Sequence, residues 1–249
     1  MLRLQILPSP QQLAKTVAQQ LHRQILSRPH STLGLATGGT MESVYASFCA
    51  QATALQLDGL TTFNLDEYLG LNPDHPQSYH FYMAQHLFGK LPFGHGKTHF
   101  PCGRDTDLDA KCERYSAAIQ ASGGIDLQLL GIGTNGHIGF NEPGTAFDSR
   151  THVVKLTEQT RIDNSRFFEH LDEVPAYAVT MGLQDIMDAK EVILVATGKQ
   201  KAAIIAQLLS GEVTESLPAS ILYHHPNAVV YVDQEAASEL PPDQQRRCA

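Results

Sequence analysis

The chain has 249 residues, 42% of them hydrophobic and 18% charged, with a formal net charge of −8. That length fits one large domain and the composition excludes a disordered chain, while the acidic balance excludes the basic stripe that nucleic acid demands. The N-terminal run breaks at Pro8, too early for a signal peptide, and no stretch approaches the roughly 18 apolar residues of a membrane span.

In chain order, residues 4–7 read as a strand. A helix follows from about Pro10, with Leu13, Val17, Leu21 and Ile25 on one face. Residues 33–36 predict a second strand that runs into Thr37-Gly38-Gly39-Thr40 at the head of a helix over 41–51. Glycines there let backbone N–H groups approach an anion, and the helix N-terminus favours negative charge. The same string also serves as a tight turn with a threonine cap. Residues 61–65 predict a strand ending at Asp66-Glu67-Tyr68. Carboxylates at the end of an apolar strand cost free energy to bury unless they are used, and desolvation would turn a weak base into a useful one. The alternative is that the pair caps the next helix, predicted over 79–87, or faces solvent.

A helix over 108–121 precedes a strand over 126–131, which opens the loop Gly131-Ile-Gly133-Thr134-Asn135-Gly136-His137-Ile-Gly139-Phe140-Asn141-Glu142-Pro143. Its Gly-x-Gly-x-x-Gly imitates a dinucleotide fingerprint, but that fingerprint needs a helix at the third glycine, and Gly139 and Pro143 stand in the way. What remains is a loop presenting His137 and Glu142 five residues apart, an acid–base group if a further carboxylate faces it. The strand over 192–197 runs into Thr197-Gly198-Lys199-Gln200-Lys201, a second turn of the anion-binding form with two lysines, followed by a helix over 199–209. Two such turns favour a phosphate ligand. A last strand over 228–232 is followed by a polar tail, 234–249, expected to add little to the core. Neither His75 nor His224-His225 has zinc spacing, so no metal is expected. Cys49, Cys102, Cys112 and Cys248 lie far apart without a Cys-x-x-Cys pair, which predicts reduced thiols in cytoplasm.

Continuous apolar strands alternating with amphipathic helices predict a single-domain, three-layer α/β fold with a mostly parallel, Rossmann-like sheet. The ligand then sits beyond the carboxyl ends of the strands, where the unusual residues fall.

Taken together, Thr37-Gly-Gly-Thr40, Phe63-Asn-Leu-Asp66-Glu-Tyr68, Ser78-Tyr79, Gly133-x-x-Gly136-His137-Ile-x-Phe-Asn-Glu142-Pro143, Asn164-Ser-Arg166-Phe-Phe168 and Thr197-Gly-x-x-Lys201-Ala resemble, in this order, the glucosamine-6-phosphate deaminase family. The resemblance runs from about residue 30 to residue 235. It implies conversion of glucosamine 6-phosphate and water to fructose 6-phosphate and ammonia without an organic cofactor. It also implies Asp66 as the base that moves a proton between C2 and C1, and His137 as the group that opens the sugar ring, supported by Glu142. Thr37, Gly38, Gly39, Thr40, Arg166 and Lys201 would surround the phosphate and sugar. Asn135 stands where many members have Asp; an amide can orient His137 but brings no charge, so a shifted pH profile is expected. His152 replaces an Arg of the allosterically activated members, and the chain stops at Ala249, so activation by an acetylated amino-sugar phosphate is not expected. Residues 151–177, which follow the active loop and contain Arg166, are expected to form a lid. The competing readings are a 6-phosphogluconolactonase-like hydrolase, a galactosamine-6-phosphate deaminase and a non-catalytic sugar-phosphate sensor. The expected partner is a small sugar phosphate, with no nucleic acid and no membrane, and a homo-oligomer stays open.

Overall fold

The computed structural model describes residues 2–52, 57–94, 97–104, 107–166 and 168–246. Phe167, Cys248 and the end of the 234–249 segment, named above, lie outside them. Strand β1 (Arg3–Leu7) leads to α1 (Pro10–Ser27), which starts where it does because Ser9 Oγ accepts from Gln12 N and Pro10 has no N–H to leave unpaired. Leu13, Val17, Leu21 and Ile25 of α1 are buried, as their spacing predicts. Fully buried β2 (Thr32–Leu35) gives way to α2 (Gly39–Gln51), then β3 (Thr61–Asn64) and β4 (Asp66–Tyr68). Helix α3 (Tyr79–Met83) widens into a π-helical turn over Ala84–Phe88, and the two-residue β5 (Thr98–His99) and α4 (Leu108–Ala121) follow. Next come β6 (Leu127–Leu130), β7 (His152–Lys155), α5 (Glu158–Ser165), β8 (Tyr177–Thr180) and α6 (Leu183–Met187). Buried β9 (Val192–Ala196) enters a tight turn at Lys199–Lys201 before α7 (Ala202–Leu208), and β10 (Ala228–Asp233) and α8 (Pro242–Arg246) close the chain.

Seven strands form one sheet in the order β1-β10-β9-β6-β2-β3-β5, every pair parallel. This is the expected α/β architecture, a central parallel sheet flanked by helices. After β2 the chain builds outward through β3 and β5. It then returns to the other side of β2 as β6 and continues through β9 and β10. The reversal between β2 and β6 opens a crevice at the strand ends.

A second, antiparallel sheet in the order β4-β8-β7 was not predicted. Its strands have three or four residues, and β7 is only half-buried, so none makes a long apolar run. Leu65 is the joint between the sheets: its N–H reaches Leu35 O of the large sheet, and its carbonyl accepts Met181 N beside β8. Beneath the small sheet, Tyr68, Phe140, Leu156 and Ala178 form their own buried cluster.

The tail also departs from expectation. Ala236, Ala237 and Leu240 are buried in the main core, because Asp233 Oδ1 accepts Ala236 N and turns the chain back onto it. Among the described residues no helix is long and apolar enough to cross a membrane.

Candidate active site

A cavity of about 510 Å³ lies beyond the carboxyl ends of β2, β6 and β9. Thr37, Gly38, Gly39, Thr40, Asp66, His137, Arg166 and Lys201 all line it. Asn135 and Glu142 do not; they stand behind His137.

The first wall is the turn after β2. Gly38 has φ 108 and ψ 166, a conformation open to glycine, and Tyr82 Oη donates to its carbonyl at 2.8 Å. The turn after β9 repeats this backbone, with Gly198 at φ 85 and ψ 156, and the Thr40 and Thr197 hydroxyls hydrogen-bond across the cavity mouth at 3.0 Å. The two turns differ in what they offer. The Gly198 N–H is already taken by the Asp233 carboxylate at 3.0 and 3.2 Å, so the second turn contributes chiefly the Lys201 side chain. Burial lowers the Lys201 pKa, a nearby Asp163 opposes the shift and Arg166 adds to it. Among the described residues its ammonium makes no hydrogen bond or ion pair.

The second wall comes from β4, where side chains alternate. Asp66 enters the cavity; it is 6% exposed, and no donor of the described residues reaches its carboxylate. Burial, and then the neighbouring Glu67 charge, push its pKa up to about 8. Glu67 points the other way and accepts the Tyr79 and His80 amides at the start of α3, at 3.0 and 3.1 Å. The two sequence alternatives are therefore divided between adjacent residues: Glu67 caps the helix and Asp66 faces the cavity.

The third wall is the loop after β6. Asn135 Oδ1 lies 2.7 Å from His137 Nδ1, and because an amide oxygen only accepts, Nδ1 carries the proton and Nε2 the lone pair. Asn135 Nδ2 donates to Glu142 Oε2 at 2.8 Å, and Glu142 Oε1 accepts Thr157 N at 3.0 Å and Thr157 Oγ1 at 3.2 Å. The amide is thus a bridge between imidazole and carboxylate. His137 Nδ1 and Glu142 Oε2 remain 3.7 Å apart. Gly133 must lack a side chain, since a Cβ there would stand 2.2 Å from the imidazole. Burial holds the His137 pKa below the ordinary histidine value; Glu142 opposes this, Lys201 reinforces it and Asp163 opposes it.

Sequence reasoning missed several lining residues. Tyr68, Tyr79, Phe168 and Asn164 lay inside recognised strings without being assigned to the site. Asp163 gave no signal beyond its place one helical turn before Arg166. It accepts from the Thr134 hydroxyl and from Gln159 Nε2, tying α5 to the β6 loop near the two cations. His75 and His225 prove structural, their Nδ1 atoms accepting Gln77 N at 3.1 Å and Asn227 N at 3.0 Å. Among the described residues no three His, Cys, Asp or Glu side chains group to hold a metal ion. The arrangement can hold a dianion at one end and exchange protons with it through a donor-free carboxylate and a neutral imidazole.

Comparison with known proteins points the same way. A family model described as glucosamine-6-phosphate isomerases/6-phosphogluconolactonase matches residues 9–231. A glucosamine-6-phosphate deaminase of Shouchella clausii is 50% identical over 92% of this chain and 93% of its own length. One from Staphylococcus aureus is 47% identical over 92% of both. The solved structure of a monomeric glucosamine-6-phosphate deaminase superposes with a TM-score of 0.94 at 44% identity, covering 96% of this chain and 100% of that one. A 6-phosphogluconolactonase from Trypanosoma brucei superposes at 0.74 with 19% identity, over 97% of this chain and 99% of that one, which is a likeness of fold alone.

Proposed function

The chain belongs to the glucosamine-6-phosphate isomerase/6-phosphogluconolactonase family, and from that membership we propose that it is a glucosamine-6-phosphate deaminase with Asp66 as its carbon base. The observation that carries this is a buried carboxylate that no donor of the described residues reaches, in the same cavity as a part-buried ammonium that makes no hydrogen bond or ion pair among those residues. Lys201, Arg166 and the turn at Thr37, Gly38, Gly39 and Thr40 hold the C6 phosphate. His137, oriented by Asn135 and backed by Glu142, moves the proton that opens the sugar ring. Asp66 takes the C2 proton of the open-chain amino aldose and returns it to C1, giving the C2 imine. Water adds to that imine and ammonia leaves, so one aldose phosphate and one water become one ketose phosphate and ammonia. Residues 151–177, which bring Asn164 and Arg166 to the cavity, cover the bound sugar. The proposed compartment is the cytoplasm, on the cysteine usage of the sequence.

The test is release of ammonia and fructose 6-phosphate from glucosamine 6-phosphate by the native chain and by Asp66→Asn. Native turnover that falls by about 10³ or more in the variant is the expected result. A native chain that releases no ammonia would move the reading to the lactonase, which needs no carbon base, and then to a sensor. Running galactosamine 6-phosphate alongside decides the epimer.

A further inference from the structure

Glu67 is the half of the acidic pair that never reaches the cavity, yet it is 3% exposed and heavily bonded. Its Oε1 accepts Tyr68 N at 2.9 Å and Tyr79 N at 3.0 Å. Its Oε2 accepts His80 N at 3.1 Å and lies 2.8 Å from His80 Nδ1. The His80 ring is itself clamped, stacked on Phe100 with centroids 3.7 Å apart. Four donors fix one carboxylate one residue away from the donor-free Asp66, on the opposite face of β4.

We infer that Glu67, held by α3 and His80, is a positioning residue for the base. It locks α3 onto β4 so that Asp66, and not Glu67, enters the cavity, and its fixed charge makes Asp66 a stronger base. The inference rests on the reading of Asp66 as the base. The titratable groups facing Asp66 are Glu67 of β4, Tyr68 of β4, Tyr79 of α3 and Tyr115 of α4, and those facing Glu67 are His80 and Tyr68. Burial keeps the three phenols protonated, so among these groups Glu67 supplies the charge that Asp66 meets. A like charge nearby disfavours ionisation, in agreement with the raised Asp66 pKa. Asp66 must be ionised to take a proton, so removing the Glu67 charge moves the onset of activity to lower pH and weakens the base.

The experiment is the pH dependence of kcat in native chain, Glu67→Gln and His80→Leu, with Asp66→Asn alongside. Glu67→Gln is expected to move the acid limb down by about one unit, with a severalfold lower plateau and KM within about twofold of native. His80→Leu withdraws a donor from Glu67, leaves its charge less compensated, and is expected to move the limb upward. An unmoved limb in Glu67→Gln, even with kcat reduced, overturns the inference and leaves Glu67 as a helix cap. If Glu67→Gln does not fold, His80→Leu decides, and a limb unmoved or moved downward overturns the inference. An Asp66→Asn variant with full turnover instead sinks the reading of the base itself.

Discussion

At the scale of single residues, a carboxylate kept from water carries a stability penalty that can be measured apart from any rate. The fold binds the Asp66 proton more tightly than the unfolded chain does, with a pKa raised from 3.8 to about 8. Its contribution to stability is therefore whole below the unfolded value and is lost as pH rises through about 8. Asp66→Asn should melt higher than the native chain at pH 8, by about 5 kcal/mol of stability, with the difference vanishing toward pH 4. The bridge at Asn135 gives a second prediction. An Asp in its place would set a carboxylate about 2.8 Å from Glu142 Oε2, where the two cannot both ionise without the imidazole taking up charge. Asn135→Asp should stay active, raise the His137 pKa and move the acid limb of kcat/KM upward, which rate profiles and an imidazole titration by NMR can follow. An unchanged profile would count against the bridge. Asp163 gives a third, because its carboxylate balances part of the Lys201 charge. Asp163→Asn should lower the Ki of inorganic phosphate by about 3- to 10-fold; a raised Ki would mean that the carboxylate helps to build the anion site. Of these residues, Asp66, Asn135, His137 and Glu142 were legible in the sequence as types in strings. The family resemblance pointed to Asp66 of the Asp66-Glu67 pair, but the residues alone left open which member faced inward, because that depends on β4 pairing with β8, 110 to 114 residues away in register. Asp163 was invisible, since only the folded chain brings α5 beside Lys201.

Secondary-structure elements divide by how much of their burial is local. Strands β2, β9 and β10 are buried along their whole length, and their uninterrupted apolar runs announced them. Strands β4, β7 and β8 could not be read that way, because their partners and not their composition make them strands. The turn between β2 and α2 is an element whose conformation can be tested alone. Nothing lies within 4 Å of a Cβ built at Gly38, so Gly38→Ala introduces backbone strain without a clash. That strain should lower stability by about 1–3 kcal/mol and raise KM for the sugar phosphate while kcat changes less. An equal loss in kcat and kcat/KM would place the turn in the chemistry and not in binding. For α5 and its flanks, a substrate analogue should protect residues 151–177 from protease, and unchanged cleavage would remove them as a cover.

On the scale of the whole molecule, the site is assembled from three neighbouring strand ends that are distant in sequence, and the C-terminal segment is part of the frame. Ala236, Ala237 and Leu240 are at most 4% exposed, and Asp233 reaches both the Gly198 turn and the Ala236 amide. Deleting residues 234–249 should remove about 3 kcal/mol of stability, whereas deleting 242–249 should change it by less than about 0.5 kcal/mol. Equal melting temperatures for the two truncations would show that the buried residues contribute nothing. Among the described residues the first strand, β1, pairs with β10 alone, with Arg3 opposite Val229 and Leu7 opposite Asp233. During synthesis on the ribosome, β1 must therefore wait for β10, 226 residues downstream, to emerge before its backbone groups find this strand partner. Until then it is an open edge for pairing with another nascent chain, so this protein's yield in the cell should depend on how fast the 226 residues between paired positions of β1 and β10 are translated.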